Sequence, residues 1–461
     1  MLKRLPDLRI ILGAYALLTL VAALVWPVSV DEILRLIGSS QSSFGQVLTW
    51  ARQVPGGAPL GDFIQFCIMA VIGHSRLAVR LPSLACAVAS CHLMWKLARQ
   101  AAVQQPLLAV LLFMLLPLQV RYAADARPFE LGLLLLISAT IYYLRLLAAP
   151  NLRNSAVYSL LLLGCLYTEP FAYLPAVGYL LFLLAFIARA DKRRAFWYAL
   201  PSTVIPVLLF LPYFFWSTPF VNPRWLFNHD HVPFSETIYL DVMHAVGGGG
   251  TTAYVLSAIL IAAAVVACWR SFQLTDAAFS KRMALFCLFG GVLSTVTIAL
   301  IIDGTYNVFF SPDQIVWIAP ALCILMVATL DWLQQKSALA GLSVAALVLL
   351  LCVYKNAEYM VTPKENIRAI EDKVRPLLSS DSCVVFVSQG LSRSVLTYLD
   401  PELGSKECFH FFHTRVVLAS HPYVRPDQQE DAESFFRGLN FSISKRMDVG
   451  QGTIVVMDQR Q

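Results

Sequence analysis

Eleven apolar runs dominate this chain and dictate what it can fold into. They lie at Ile10–Val28, Leu77–Leu97, Leu107–Val120, Leu131–Leu147, Ala156–Tyr167, Phe171–Ile187, Phe196–Trp216, Ala253–Cys268, Met283–Ile302, Ile315–Leu330 and Ala338–Tyr354. A helix needs roughly 20 residues to cross about 30 Å of hydrocarbon, so the shorter runs must borrow length from their flanks. Of the 461 residues, 58% are hydrophobic and 14% charged, against about 25% charged in an ordinary soluble domain. That balance excludes a disordered scaffold, a coiled coil and a typical cytosolic enzyme. The expected fold is mainly α: a polytopic membrane bundle of about eleven spans. No small-residue cleavage site follows the first run, so it reads as a retained span.

Lys and Arg set the orientation. With the N-terminus inside, the inside loops hold Lys3, Arg4, Arg9, Lys96, Arg99, Arg145, Arg153, Arg189, Lys192, Arg193, Arg194, Arg270, Lys281, Arg282 and Lys336. The outside connections hold Arg35, Arg52, Arg76, Arg80, Arg121, Arg127 and Arg224. This asymmetry predicts a cytoplasmic N-terminus and an outward-facing C-terminal tail. The net charge of +6 is dispersed between apolar runs, which suits membrane orientation and not nucleic-acid binding.

The expected domains are a membrane domain over residues 1–355 and an extracytoplasmic α/β domain over 356–461. In the tail, helices are expected over Asn366–Leu378, Ser392–Leu399 and Asp427–Gly438. Strands are expected over Cys383–Val387, Cys408–Phe412, Ser442–Met447 and Thr453–Met457. Cys383 and Cys408 open two of those strands. In an oxidising compartment they are candidates for a disulfide; the other eight cysteines lie in or beside apolar segments and read as packing residues.

Several polar residues sit where a membrane tolerates them only at a cost. Asp31 and Glu32 follow the first run. They suit either the first turn of a helix, favoured by its dipole, or a pair in which one acid faces a cleft. A second cluster runs from Arg121 to Glu130. Asp125 and Arg127 could simply pair, or the arginines could hold a phosphate through the planar guanidinium fork while Asp125 orients a partner. Between these clusters, Pro55–Leu60 marks a turn, and Ser43–Gln53 and Leu60–Ile72 can form surface helices that roof a cleft. Arg76–Ser83 follows.

The largest mid-chain loop holds Arg224, Trp225, His229, Asp230 and His231. The two histidines and the acid suit either a divalent cation or a polar surface loop. Arg224 beside Trp225 suits a phosphate and an apolar or sugar ligand. Gly247–Gly250 reads as a hinge, lacking the Lys and Ser/Thr context of a phosphate loop. Glu169, between apolar runs, is either a functional acid or a loop-tip residue. Tyr306 and Asn307 fall on the outside face by topology.

The order of these features resembles the C-type superfamily of polytopic glycosyltransferases, nearest to the protein O-mannosyltransferase and aminoarabinose transferase groups. The features are an Asp-Glu pair after the first span, Pro59-Leu60, Arg80-Leu81-Pro82-Ser83, and an acid before Arg127-Pro128-Phe129. The match is most specific over residues 12–136. It implies a polyprenyl-phosphate sugar donor held at the outer membrane face, and transfer to a lipid, glycan or protein acceptor. Asp31 falls on the family's catalytic acidic position with Glu32 beside it, and Asp125 and Arg127 fall on its second acidic-and-arginine motif. Gly57-Ala58 stand where the family often carries a basic or second Pro residue, and Asp313 where it commonly carries Arg.

The resemblance implies an enzyme of a bacterial inner membrane or its equivalent, with a periplasmic C-terminal domain. Asp31 is expected as base, Glu32 and Asp125 as further catalytic acids, and Arg127, Arg224 and Arg121 as donor-phosphate ligands. No metal ligand is assigned, although a divalent cation stays open. A phosphate leaving group needs cations and an incoming hydroxyl or amine needs a base; one base with direct displacement implies inversion. Two other readings stay open. A lipid-linked-sugar transporter or flippase would more usually carry repeats and midplane charges. A noncatalytic subunit retaining the fold is the other.

Overall fold

The computed structural model describes residues 8–26, 30–52, 59–73, 75–188, 190–217, 251–272, 279–306, 312–361, 367–379, 381–387, 414–420, 426–449 and 452–459. The chain divides into two compact units, residues 1–24 with 39–361, and residues 25–38 with 362–461. The segment carrying Asp31 and Glu32 thus groups with the C-terminal residues.

The first unit is helical. In order it contains α1 (Leu8–Val25), α3 (Phe44–Ala51), α4 (Pro59–Ile72), α5 (Arg76–Gln100), α6 (Pro106–Leu115), α7 (Pro117–Ala123), α8 (Phe129–Ala148), α9 (Leu152–Thr168), α10 (Leu174–Leu183) and α11 (Ala190–Ser217). Then come α12 (Thr251–Ser271), α13 (Phe279–Tyr306), α14 (Ala319–Lys336) and α15 (Ala338–Val361); α2 (Val30–Ser39) lies mainly in the second unit. Local signals open several of these helices. The Ser75 side chain accepts from the Ala78 amide at the start of α5, and Asn151 accepts from the Asn154 amide at the start of α9.

The expected count of eleven spans is not confirmed. Among the described residues, eight helices are long and apolar enough to cross a membrane, or nine if a bent pair counts as one span. The bent pair is α6 and α7, inclined by 68°. Pro117 lacks an amide hydrogen, and Leu116 before it takes an extended ψ of 131°. The Leu115 carbonyl at this break accepts instead from Asn356 Nδ2 at 2.8 Å. The run at 156–167 becomes the 17-residue α9, which stops at Glu169-Pro170. The next run breaks into a 3-10 turn (Pro170–Tyr173), α10 and a second 3-10 turn (Leu184–Phe186).

Burial separates central from peripheral helices. In Ile315–Lys336, 94% of the most apolar window is buried, against 28% in α1, so α14 forms the middle of the bundle. Without water to drive apolar faces together, membrane helices associate where small residues let backbones approach. Here Gly178 on α10 meets the Gly290 carbonyl on α13 so closely that a Cβ would overlap it. The two predicted surface helices form as α3 and α4, joined by stacked Phe44 and Phe63 rings with centroids 3.6 Å apart.

The second unit contains a four-stranded sheet in the order β1-β2-β4-β3: β1 (Ser382–Val387), β2 (Arg415–Ser420), β3 (Phe441–Val449) and β4 (Gly452–Gln459). β1 and β2 are parallel, and β4 runs antiparallel to both β2 and β3. Alternation along the strands gives the sheet two apolar faces. On one, Val384, Val417, Ala419 and Ile454 pack with Ile370 and Val374 from α16 (Ile367–Val374). On the other, Cys383, Val416, Leu418 and Val455 pack with Phe436 from α17 (Pro426–Gly438). β2 was not anticipated, whereas the expected elements at 392–399 and 408–412 lie outside the described residues. Cys383 is disulfide-bonded, and Cys408 also lies outside the described residues.

Candidate active site

Five residues separate the end of α7 at Ala123 from the start of α8 at Phe129. Within this turn Arg127 folds back on Asp125. The Arg127 amide donates to Asp125 Oδ1 at 3.0 Å, and its Nε donates to Oδ2 at 2.8 Å. Nη2 also approaches Oδ2 at 2.8 Å, with both side chains only 7% exposed. Removing two charges from water is costly, and here a multiply bonded pair offsets that cost. The guanidinium carbon lies 4.9 Å from the centre of the Phe129 ring and 5.5 Å from that of Tyr122. These rings touch at 4.6 Å, and Phe129 continues to Trp317 at 6.0 Å. The cation thus meets the Asp125 carboxylate and the negative faces of the Tyr122 and Phe129 rings.

Two earlier motifs converge on the same turn. Ser83 Oγ on α5 donates to the Arg127 carbonyl at 3.1 Å. Gly61, next to Pro59-Leu60 on α4, lies against Pro128: a Cβ there would stand 2.5 Å from Pro128 Cβ. Gln65 Nε2 on α4 donates to the Val79 carbonyl on α5 at 3.0 Å, fixing the two helices beside each other. Buried Arg80 donates from Nη1 to the Ala23 carbonyl of α1 at 2.8 Å, tying the Arg-Leu-Pro-Ser segment to the first span. Gly61, Ser83 and the Asp125–Pro128 turn therefore form one junction from three separate stretches of chain.

The other expected site residues distribute as follows. Asp31 and Glu32 fall in the first turn of α2, and Glu32 is buried. Arg121 is half-buried in the last turn of α7. Glu169 is buried at the C-terminal cap of α9. Tyr306 ends α13, and Asp313 lies in a 3-10 turn (Pro312–Ile318). Arg224, His229, Asp230, His231, Gly247–Gly250 and Asn307 lie outside the described residues. Among the described residues, no group of three or more His, Cys, Asp or Glu side chains is placed to hold a metal ion.

Three participants escaped sequence reading: Gly61, Gln119 and Trp317. Gln119 donates from Nε2 to Glu130 Oε2 at 2.8 Å, and both residues are buried. A lone amide in one apolar run and an acid at the mouth of the next were the available signals. Nothing in the one-dimensional pattern pairs them.

The spans and the small sheet define the class: a polytopic membrane-helix protein with a C-terminal α/β unit. Residues 55–216, which include the whole junction, match the family described as dolichyl-phosphate-mannose-protein mannosyltransferase. The fold is similar to that of ArnT from Cupriavidus metallidurans bound to undecaprenyl phosphate, at 12% identity and a TM-score of 0.59 over 97% of each chain. The apo state of the same ArnT gives 12% identity and a TM-score of 0.56, again over 97% of each chain. The archaeal oligosaccharyltransferase AglB from Archaeoglobus fulgidus gives 11% identity and a TM-score of 0.48 over 89% of this chain and 69% of that one. A sequence search of curated proteins finds no match.

Proposed function

We propose that this protein transfers a sugar from a polyprenyl-phosphate donor to a lipid, glycan or protein acceptor at the extracytoplasmic face of a bacterial inner membrane. The observation that carries this reading is the junction of Gly61, Ser83 and the Asp125–Arg127 pair, inside the segment that matches the mannosyltransferase family. The undecaprenyl phosphate named for the ArnT structure supports the donor class.

In the proposed reaction an acceptor hydroxyl or amine forms a bond to the anomeric carbon. The bond from that carbon to the phosphate oxygen breaks as it forms, and polyprenyl phosphate leaves with the electron pair. The Asp31 carboxylate takes the acceptor proton, with Glu32 beside it. Arg127 stabilises charge growing on the phosphate, held in orientation by Asp125, with Arg121 and Arg224 as further cations. A guanidinium already ordered by a carboxylate and two rings needs little reorganisation when charge develops. Single displacement inverts the anomeric centre.

Purified protein in nanodiscs, supplied with a panel of polyprenyl-phosphate sugars and membrane extract as acceptor, tests the reading. A glycosylated product of inverted configuration supports it. Movement of intact donor across the bilayer without product would replace it with a transporter. Asp31→Asn is expected to nearly abolish transfer at unchanged expression; full turnover in that variant would remove Asp31 from the mechanism.

A further inference from the structure

The carboxylate of Glu130 is fully buried in the first turn of α8. Its Oε2 accepts from Gln119 Nε2 on α7 at 2.8 Å. Gln119 itself is buried, and its backbone carbonyl takes the Tyr15 hydroxyl of α1 at 3.4 Å. Glu130 Oε1 and Gln119 Oε1 are both buried without a hydrogen-bond partner. A buried polar pair whose second oxygens find no protein donor is expensive inside a bundle, where two apolar residues would serve packing alone.

The pair's position gives it a use. α7 is only seven residues long and bends away from α6 by 68°, so it is not continuous with a full span. The Gln119–Glu130 hydrogen bond and the Tyr122–Phe129 ring contact at 4.6 Å join it directly to α8. Between those anchors lies the turn that carries Asp125 and Arg127. Glu130 is three residues beyond Arg127, and Phe129, the ring beneath the Arg127 guanidinium, is its neighbour.

We propose that Gln119 and Glu130 form a clasp that sets the position of the Arg127 guanidinium by fixing both ends of the turn, making them positioning residues for anion binding at Arg127. This rests on the reading of Arg127 as a ligand for the donor phosphate. The clasp requires a hydrogen bond across the two helices, which an amide at position 130 can also make. It does not require a charge.

Full-length wild type, Glu130→Gln and Glu130→Leu are compared in nanodiscs, with undecaprenyl phosphate as the binding probe and hydrogen exchange of amides 124–128 as a readout that needs no ligand. Glu130→Leu is expected to speed exchange of those amides and weaken probe binding by roughly ten- to hundredfold, while Glu130→Gln stays near wild type in both. If Glu130→Leu folds too poorly to purify, Gln119→Met replaces it with the same expectation. Unchanged exchange across 124–128 in the apolar variant, or a Glu130→Gln variant as impaired as Glu130→Leu, overturns the clasp. Wild type that binds no probe while the exchange pattern holds overturns the donor-phosphate reading and leaves the clasp as a brace for Arg127.

Discussion

The Ser83 hydroxyl meets the Arg127 carbonyl at 3.1 Å across 44 residues of sequence. This bond pins the turn between α7 and α8 to α5 from outside, while the Asp125 carboxylate orders the same turn from within. Ser83→Ala removes a neutral donor, and the expected loss is about 1 kcal/mol. Thermal unfolding in detergent should register it as a modest shift.

Asp125→Asn is the harsher change. It removes the Asp125 charge from the buried Arg127 cation, and breaking a buried pair from one side costs about 3–5 kcal/mol. Arg127→Lys keeps a positive charge but not the guanidinium whose Nε and Nη2 both reach Asp125 Oδ2. Donor turnover should fall steeply in both variants, with the melting temperature falling further in Asp125→Asn. Equal stability of Asp125→Asn and wild type would contradict the ion pair.

Gly61→Ala tests the close approach of α4 to Pro128. The added methyl would stand 2.5 Å from Pro128 Cβ, a ring atom with little freedom to move. Overpacking of this kind costs about 1–3 kcal/mol. The helix must shift, so donor affinity should fall along with stability. Unchanged values for both would mean the junction is looser than described.

In the C-terminal unit, hydrogen bonding from Arg415 holds the Asp458 carboxyl below the usual carboxylate range and raises the Arg415 pKa. A lowered folded pKa means the pair stabilises β2 against β4 above the unfolded carboxylate value. That support is lost as pH falls through the folded pKa. Both side chains are more than a third exposed, at 42% and 35%, so screening keeps the effect under about 1 kcal/mol. Hydrogen exchange along Gly452–Gln459 in the full chain should be faster in Arg415→Ala than in wild type at neutral pH. The difference should vanish in strong acid.

Cys383 is bonded, while Cys67, Cys86, Cys91, Cys165, Cys268, Cys287, Cys323 and Cys352 are free thiols. Alkylation of the denatured, unreduced protein should therefore label those eight and spare Cys383. Peptide mass spectrometry checks this directly, and an alkylated Cys383 would reject the bond. Reduction should cost the C-terminal unit about 2–4 kcal/mol.

Much of the architecture was legible because membrane burial writes itself in one dimension. The runs that became α1, α5, α8 and α11 to α15 are long and nearly uncharged. Among the described residues the count of eleven is not confirmed, because backbone chemistry interrupts hydropathy: Pro117 bends one run, and Glu169-Pro170 ends another. In the tail, β3 and β4 stood out between turn residues. β2 did not, because Val416–Ala419 is buried on both faces and so lacks alternation.

By itself, the sequence determined that the protein spans a membrane many times, and which short polar segments interrupt its apolar runs, because both follow from composition and spacing. Only the tertiary structure decided that Gly61, Ser83 and the Asp125–Arg127 turn touch, and that Gln119 reaches Glu130. Those contacts depend on helix bends and on approach distances of a few ångströms. Hydropathy is blind to both, because it records how much a residue avoids water and not which neighbour it meets when it does.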